Sequence, residues 1–230
     1  LSHRFLTDWP WEWGEPPFHP DFLSMHSRSD FPSASDSKIK LAIEVKTFSE
    51  LKRWHRWSQE DPQKNIFLPR GRRWHWYRLL QKGKTPLNFI RENEGTSDEQ
   101  PTLMQWMATT SADFFGAVLG SPVAHSRSPM EHREQGNFFD IEVESQEFFE
   151  AMEVLTELGL EKAAVTSPLK GLAFEIIENS AAQEVKSINT LVRTSQGWKG
   201  SNTDALALNA ELSSFSSFDD IVVWGGGGTL

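Results

Sequence analysis

Between residues 138 and 168 the spacing of apolar residues changes twice, and that alternation constrains the fold more than any other feature of the chain. FFDIEV at 138–143 reads as a strand, whereas QEFFEAMEVLTELG at 146–159 sets Phe148, Met152, Leu155 and Leu158 three and four residues apart, on one helical stripe. Gly159 supplies the left-handed stop, and AAVTSP at 163–168 resumes as a strand. A strand, a short helix and a strand in succession imply parallel pairing, with functional groups gathered at the carboxyl ends of the strands.

The flanking sequence continues the alternation. FGAVLG at 115–120 is a strand, SPMEHREQ at 128–135 a helix start, GLAFEIIENS at 171–180 a helix, and SINTLV and GWKGSN at 187–202 a strand pair. TDALALNAEL at 203–212 is a helix and IVVWG at 221–225 a strand. Upstream, KIKLAIEV at 38–45, NIFLP at 65–69 and LNFI at 87–90 read as strands. They are separated by SELKRWHRWSQ at 49–59, a helix opening at a Ser49 cap, and WHWYRLLQKG at 74–83, a helix closing on Gly83. The first 35 residues carry Pro, Ser, His and Asp without a period and read as loop. Eight of the ten Trp precede residue 112, where we place a domain boundary. The chain lacks an initiator Met and stops directly after IVVWGGGGTL, so further sequence is expected at each end.

With 23 Lys+Arg against 32 Asp+Glu, the net charge of −9 disfavours a binder of nucleic-acid backbones, and no nucleic-acid partner is expected. The chain has no Cys, which excludes disulfides and thiolate chemistry and fits a reducing compartment such as the cytoplasm. No apolar run reaches the roughly 18 residues of a membrane span. The seven His are scattered without a paired ligand, so no metal is expected.

Five short segments could carry chemistry. GSPVAHSRSP at 120–129 holds Ser126 and Ser128 in a loop ahead of a helix, where their hydroxyls either cap that helix or face a ligand. VTSPLK at 165–170 ends a strand and offers Lys170, either a solvated lysine or a proton donor to a carbonyl becoming an alkoxide. In SNTDA at 201–205, Asn202 or Thr203 caps a helix and Asp204 occupies its first turn, the ordinary place for an acid. INT at 188–190 ends a strand with an amide and a hydroxyl. IVVWGGGGT at 221–229 is a strand entering a glycine turn of the kind that admits a pyrophosphate.

In this order the five segments resemble shikimate dehydrogenase, over residues 114–230. The resemblance implies an α/β substrate-binding domain over residues 113–218 and the first strand and glycine turn of a truncated NADP-binding Rossmann domain over 219–230. It implies that Ser126 and Ser128 hold the substrate carboxylate, that Thr166, Asn189 and Asp204 take ring hydroxyls, and that Lys170 and Asp204 form the catalytic pair. Gly225, Gly227 and Gly228 would face NADP, whose reduced form delivers hydride to 3-dehydroshikimate to give shikimate, on the route to chorismate and the aromatic amino acids. The sequence departs from the family at Ala164, where Asn is usual, at Ala205, where Gly is usual, at Gly226, where Ala is common, and after His132, where the usual Asn is lost.

Residues 22–104 are similar to the later half of type I 3-dehydroquinate dehydratase, a (β/α)8 barrel using a Schiff-base lysine, so residues 1–112 are expected to be a partial barrel-like module of a bifunctional enzyme. The resemblance implies His26 as acid/base, Lys40 as nucleophile, Arg78 as carboxylate ligand and Gln100 as substrate contact, with Lys38 and Lys46 competing for the lysine role. Other readings stay open: a quinate or shikimate dehydrogenase using NAD, or a non-catalytic shikimate-binding regulator. A homodimer is admitted and not required. With a truncated nucleotide domain, this stretch alone is expected not to turn over.

Overall fold

The structure is a computed structural model that describes residues 22–25, 38–92, 99–178 and 186–213. It divides the chain into two compact units, Leu1–Ala112 and Asp113–Leu230.

The first unit holds strands β1 (Phe22–Met25), β2 (Lys38–Glu44) and β3 (Asn65–Arg70), parallel and in that order across the sheet. Along β2 the buried Ile39, Leu41 and Ile43 alternate with half-buried Lys38, Lys40 and Ala42, so the strand presents one apolar face and one carrying the lysines. Helix α1 (Phe48–Glu60) joins β2 to β3 and buries Phe48, Leu51, Trp54 and Trp57. Its cap is Thr47 and not Ser49: the Thr47 hydroxyl accepts from the Glu50 amide at 3.1 Å. The earlier start brings Phe48 into the helix, where its ring packs edge-on against Trp74 at 5.1 Å.

The segment 74–83 opens in a 3₁₀ turn over Arg72–Trp74, becomes helix α2 (His75–Leu80), and reaches Gly83 with φ +76°. LNFI at 87–90 forms no strand. There Asn88 Nδ2 donates to the Thr85 hydroxyl at 3.0 Å and that hydroxyl donates to the Leu87 carbonyl at 3.3 Å, local bonds that compete with a sheet ladder. Helix α3 (Leu103–Ala108) starts in a capping box of Thr102 and Gln105.

The second unit is a five-stranded mixed sheet. Its strands are β4 (Phe115–Gly120), β5 (Phe138–Glu142), β6 (Leu160–Val165), β7 (Thr190–Arg193) and β8 (Trp198–Ser201), in the order β5-β4-β6-β7-β8. Every residue of β4 is buried, as expected of a strand covered on both faces. Helix α4 (Ser128–Glu131) follows β4. Helix α5 (Phe148–Glu157) buries Phe148, Ala151, Met152, Val154 and Leu155, and ends at Gly159 with φ +99°. Helix α6 runs only Lys170–Glu175, because Ile177 leaves the helical path to bridge Trp198 beside β8. Helix α7 (Thr203–Ser213) closes the described chain. IVVWG and the glycine turn at 221–228 lie outside the described residues. Among the described residues, no helix is long and apolar enough to cross a membrane.

Strand direction decides where the loops go. β5, β4 and β6 are mutually parallel, so their carboxyl ends share one edge of the sheet. β7 runs antiparallel to β6 and β8 antiparallel to β7, which sets the start of β7 and the end of β8 on that same edge, Thr190 opposite both Ala164 and Ser201. The β4 and β6 loops touch directly: Thr166 N donates to the Leu119 carbonyl at 2.9 Å and Ser121 N to the Ser167 carbonyl at 3.1 Å. Gly120 permits this approach, since a Cβ there would press on the Thr166 methyl and lie 2.8 Å from the Ser167 carbonyl oxygen. Gly120→Ala should therefore cost about 1–3 kcal/mol in urea unfolding; an unchanged midpoint would show that the two loops need not meet so closely.

Candidate active site

Among the described residues, the candidate substrate-binding and catalytic side chains of the second unit belong to that one edge. Ser126 and Ser128 follow β4, Thr166 and Lys170 follow β6, Asn189 precedes β7, and Asp204 follows β8. The decisive contact joins residues 34 apart: Lys170 Nζ donates to Asp204 Oδ2 at 2.6 Å, with side chains 20% and 37% exposed. Lys170 is the first residue of α6, where a cation faces the positive end of the helix dipole, whereas Asp204 sits in the first turn of α7, where an anion is favoured. The pair thus presents an ammonium oriented by a carboxylate and still partly exposed.

The serine loop is built on itself. Ser126 Oγ donates to Ser128 Oγ at 3.2 Å and accepts from the Ser128 amide at 3.2 Å, while Ser126 N donates to the Val123 carbonyl at 2.9 Å. Neither serine is the N-cap of α4; that position is Arg127, which makes no side-chain cap bond. Both hydroxyls are half-buried and face one another, an arrangement suited to a carboxylate that accepts a hydrogen bond from each.

Asn189 is engaged more heavily than its sequence position suggests. Its Oδ1 accepts from the Thr203 amide at 2.9 Å and the Thr190 hydroxyl at 3.0 Å, and its Nδ2 donates to the Thr203 hydroxyl at 2.9 Å. Of the two capping alternatives in SNTDA, Asn202 is the cap, its Oδ1 accepting from the Ala205 amide at 2.9 Å. Thr203, absent from the expected site, is the partner that ties Asn189 to the residue before Asp204. Its place directly before an acid in a helix's first turn was the available signal.

With this geometry in place, residues 118–191 match the family model of the shikimate dehydrogenase substrate binding domain. The shikimate dehydrogenase (NADP(+)) of Xanthomonas campestris pv. campestris strain B100 is 36% identical over 112 residues, 45% of this chain and 40% of that protein. The corresponding protein of Stenotrophomonas maltophilia strain K279a is 35% identical over the same length and coverage. Shikimate 5-dehydrogenase of Thermus thermophilus, solved in complex with NADP(H) and shikimate, aligns at 26% identity over 44% of this chain and 42% of that one, with a TM-score of 0.39. The chain spans about two fifths of the length of the curated relatives it matches.

In the first unit, Lys40 lies on β2 opposite Ser24 of β1, its ammonium 4.9 Å from the centre of the Phe89 ring. Partial burial lowers its pKa from the ordinary lysine value. Arg78 does not point at open solvent. Its guanidinium, 7% exposed, donates through Nε and Nη2 to the Pro69 carbonyl at 3.1 and 3.0 Å and lies 3.8 Å from Glu99. Burial lowers the Arg78 pKa to about 10, with the Glu99 carboxylate pulling upward and Arg70 downward. Glu99, missed in the sequence, is also 3.5 Å from Arg70, and the neighbouring Gln100 carbonyl accepts from Arg91 Nε at 3.0 Å. His26 lies outside the described residues. Removing the acid while keeping its shape, Glu99→Gln, should lower stability by about 1–3 kcal/mol, because a buried guanidinium loses its compensating charge. Guanidinium-chloride unfolding of the two proteins measures this, and equal midpoints would mean that Arg78 is satisfied by Pro69 alone.

Proposed function

We propose that the second unit is the substrate-binding part of an NADP-dependent shikimate dehydrogenase, a cytoplasmic enzyme that interconverts 3-dehydroshikimate and shikimate. The observation that carries this is the Lys170–Asp204 pair at 2.6 Å, on the edge where the serine loop and the Thr166 loop also emerge. In the reductive direction Lys170 donates its proton to the carbonyl oxygen at C3 as that oxygen gains charge, and Asp204 keeps the ammonium aimed. Ser126 and Ser128 bind the carboxylate and set the ring's orientation, while Thr166 faces a ring hydroxyl. The nicotinamide cofactor, when bound, supplies the hydride; its proposed contacts Gly225, Gly227 and Gly228 lie outside the described residues.

In the full-length protein, Lys170→Ala should reduce turnover on the order of 10²-fold or more with a smaller change in shikimate affinity, whereas Ser126→Ala should act mainly on KM. Steady-state NADP reduction with shikimate measures both, and unaltered turnover in the lysine variant would remove it from the mechanism. Calorimetry with shikimate separates the regulator: saturable binding by a full-length protein that turns over neither NADP nor NAD.

A second activity is favoured by one observation in the first unit, the lowered pKa of Lys40 on a parallel strand. A neutral amine is the nucleophile for a carbonyl, and below the ordinary pKa of about 10.4 a desolvated lysine supplies more of it than a solvated one. A dehydratase working through a Lys40 Schiff base should yield a borohydride-reduced adduct with 3-dehydroquinate, located on Lys40 by peptide mass spectrometry. An adduct spread over Lys38 and Lys46, or none, would reject this second activity.

A further inference from the structure

We propose that Asn202 is the positioning residue of the Lys170–Asp204 pair, holding the acid against the ammonium through the backbone carbonyl of Ser187. Helix α7, which carries Asp204, buries none of its residues, so packing does not fix where its first turn lies. Polar tethers do, and they converge on three consecutive residues. Asn202 Nδ2 donates to the Ser187 carbonyl at 2.8 Å, the Ile188 amide donates to the Lys170 carbonyl at 2.9 Å, and the Asn189 side chain brackets Thr203. One short strap thus grips the backbone of Lys170 on one side and the entrance of the Asp204 helix on the other.

Asn202 is the most buried side chain that this strap holds at the entrance of α7. It is 8% exposed, and each end of its amide has its own duty: Nδ2 reaches Ser187, while Oδ1 caps α7 at the Ala205 amide. The two duties separate chemically. A serine at this position keeps an oxygen suited to capping the helix, but it has no amide to reach the Ser187 carbonyl.

The kinetic arm of the test rests on the dehydrogenase reading; the thermal arm does not. In the full-length protein, Asn202→Ser should unfold cooperatively and retain a shikimate KM within about threefold, because the serine loop is untouched, while kcat falls about tenfold as the acid loses its setting. Thermal unfolding of Lys170→Met, Asp204→Asn and the double variant should reveal a coupling in the Asn202 protein that disappears in the Asn202→Ser background. An unchanged coupling, or an unchanged kcat in active protein, would overturn the role of Asn202. Absence of turnover in the parent protein would sink the dehydrogenase reading instead, with the coupling measurement still deciding the positioning role.

Discussion

An ammonium at the first residue of a helix works against the local dipole, and there Lys170 meets a carboxylate from another helix at 2.6 Å. The ion pair by itself is worth little at such exposure, on the order of 0.2–1 kcal/mol. Its significance is directional. An unpaired lysine would extend into water and sample many rotamers, whereas one anchored to Asp204 keeps a proton aimed along the sheet edge. The dipole of α7 favours a negative charge in its first turn, where Asp204 sits.

Reversal of strand direction in the second unit is what makes that meeting topologically simple. Had β7 and β8 continued the parallel pattern, each would have needed its own crossover helix. The antiparallel pair returns the chain to the same edge in a dozen residues, from Thr190 to Ser201. Gly200 in β8 lets this return pack tightly, because a Cβ there would lie 2.7 Å from Ile177 and 2.9 Å from Ile188. Ile177 leaves α6 to make that contact, and the helix ends after Glu175 for the same reason. The apolar seam that shortens α6 is therefore continuous with the strap that reaches Lys170 and Asn202.

Much of this was legible wherever burial follows a single period. The strands β4, β5 and β6 and the stripe of α5 follow directly from apolar spacing, and Gly159 stops α5 where its φ of +99° requires glycine. Legibility failed where side chains bond to nearby backbone: Thr85 and Asn88 turn an apolar run into a loop, and Thr47 takes the cap expected of Ser49. No periodicity links Lys170 to Asp204; only the joint order of several motifs suggested that they share a site. Glu99 was invisible for a related reason, since an acid in a polar loop reads as solvated until the fold buries Arg78 beside it.

The departures from the family pattern acquire physical meaning from these contacts. The amide of Ala205 is spent on the Asn202 cap, and the residue lies within a helix, where alanine is favoured over glycine by about 1 kcal/mol. In a helix that buries nothing, that preference stiffens the very turn that presents Asp204. Ala164 acts oppositely: paired with Val118 and Thr190 in the middle of the sheet, it has no polar atom beyond its backbone to offer a ligand.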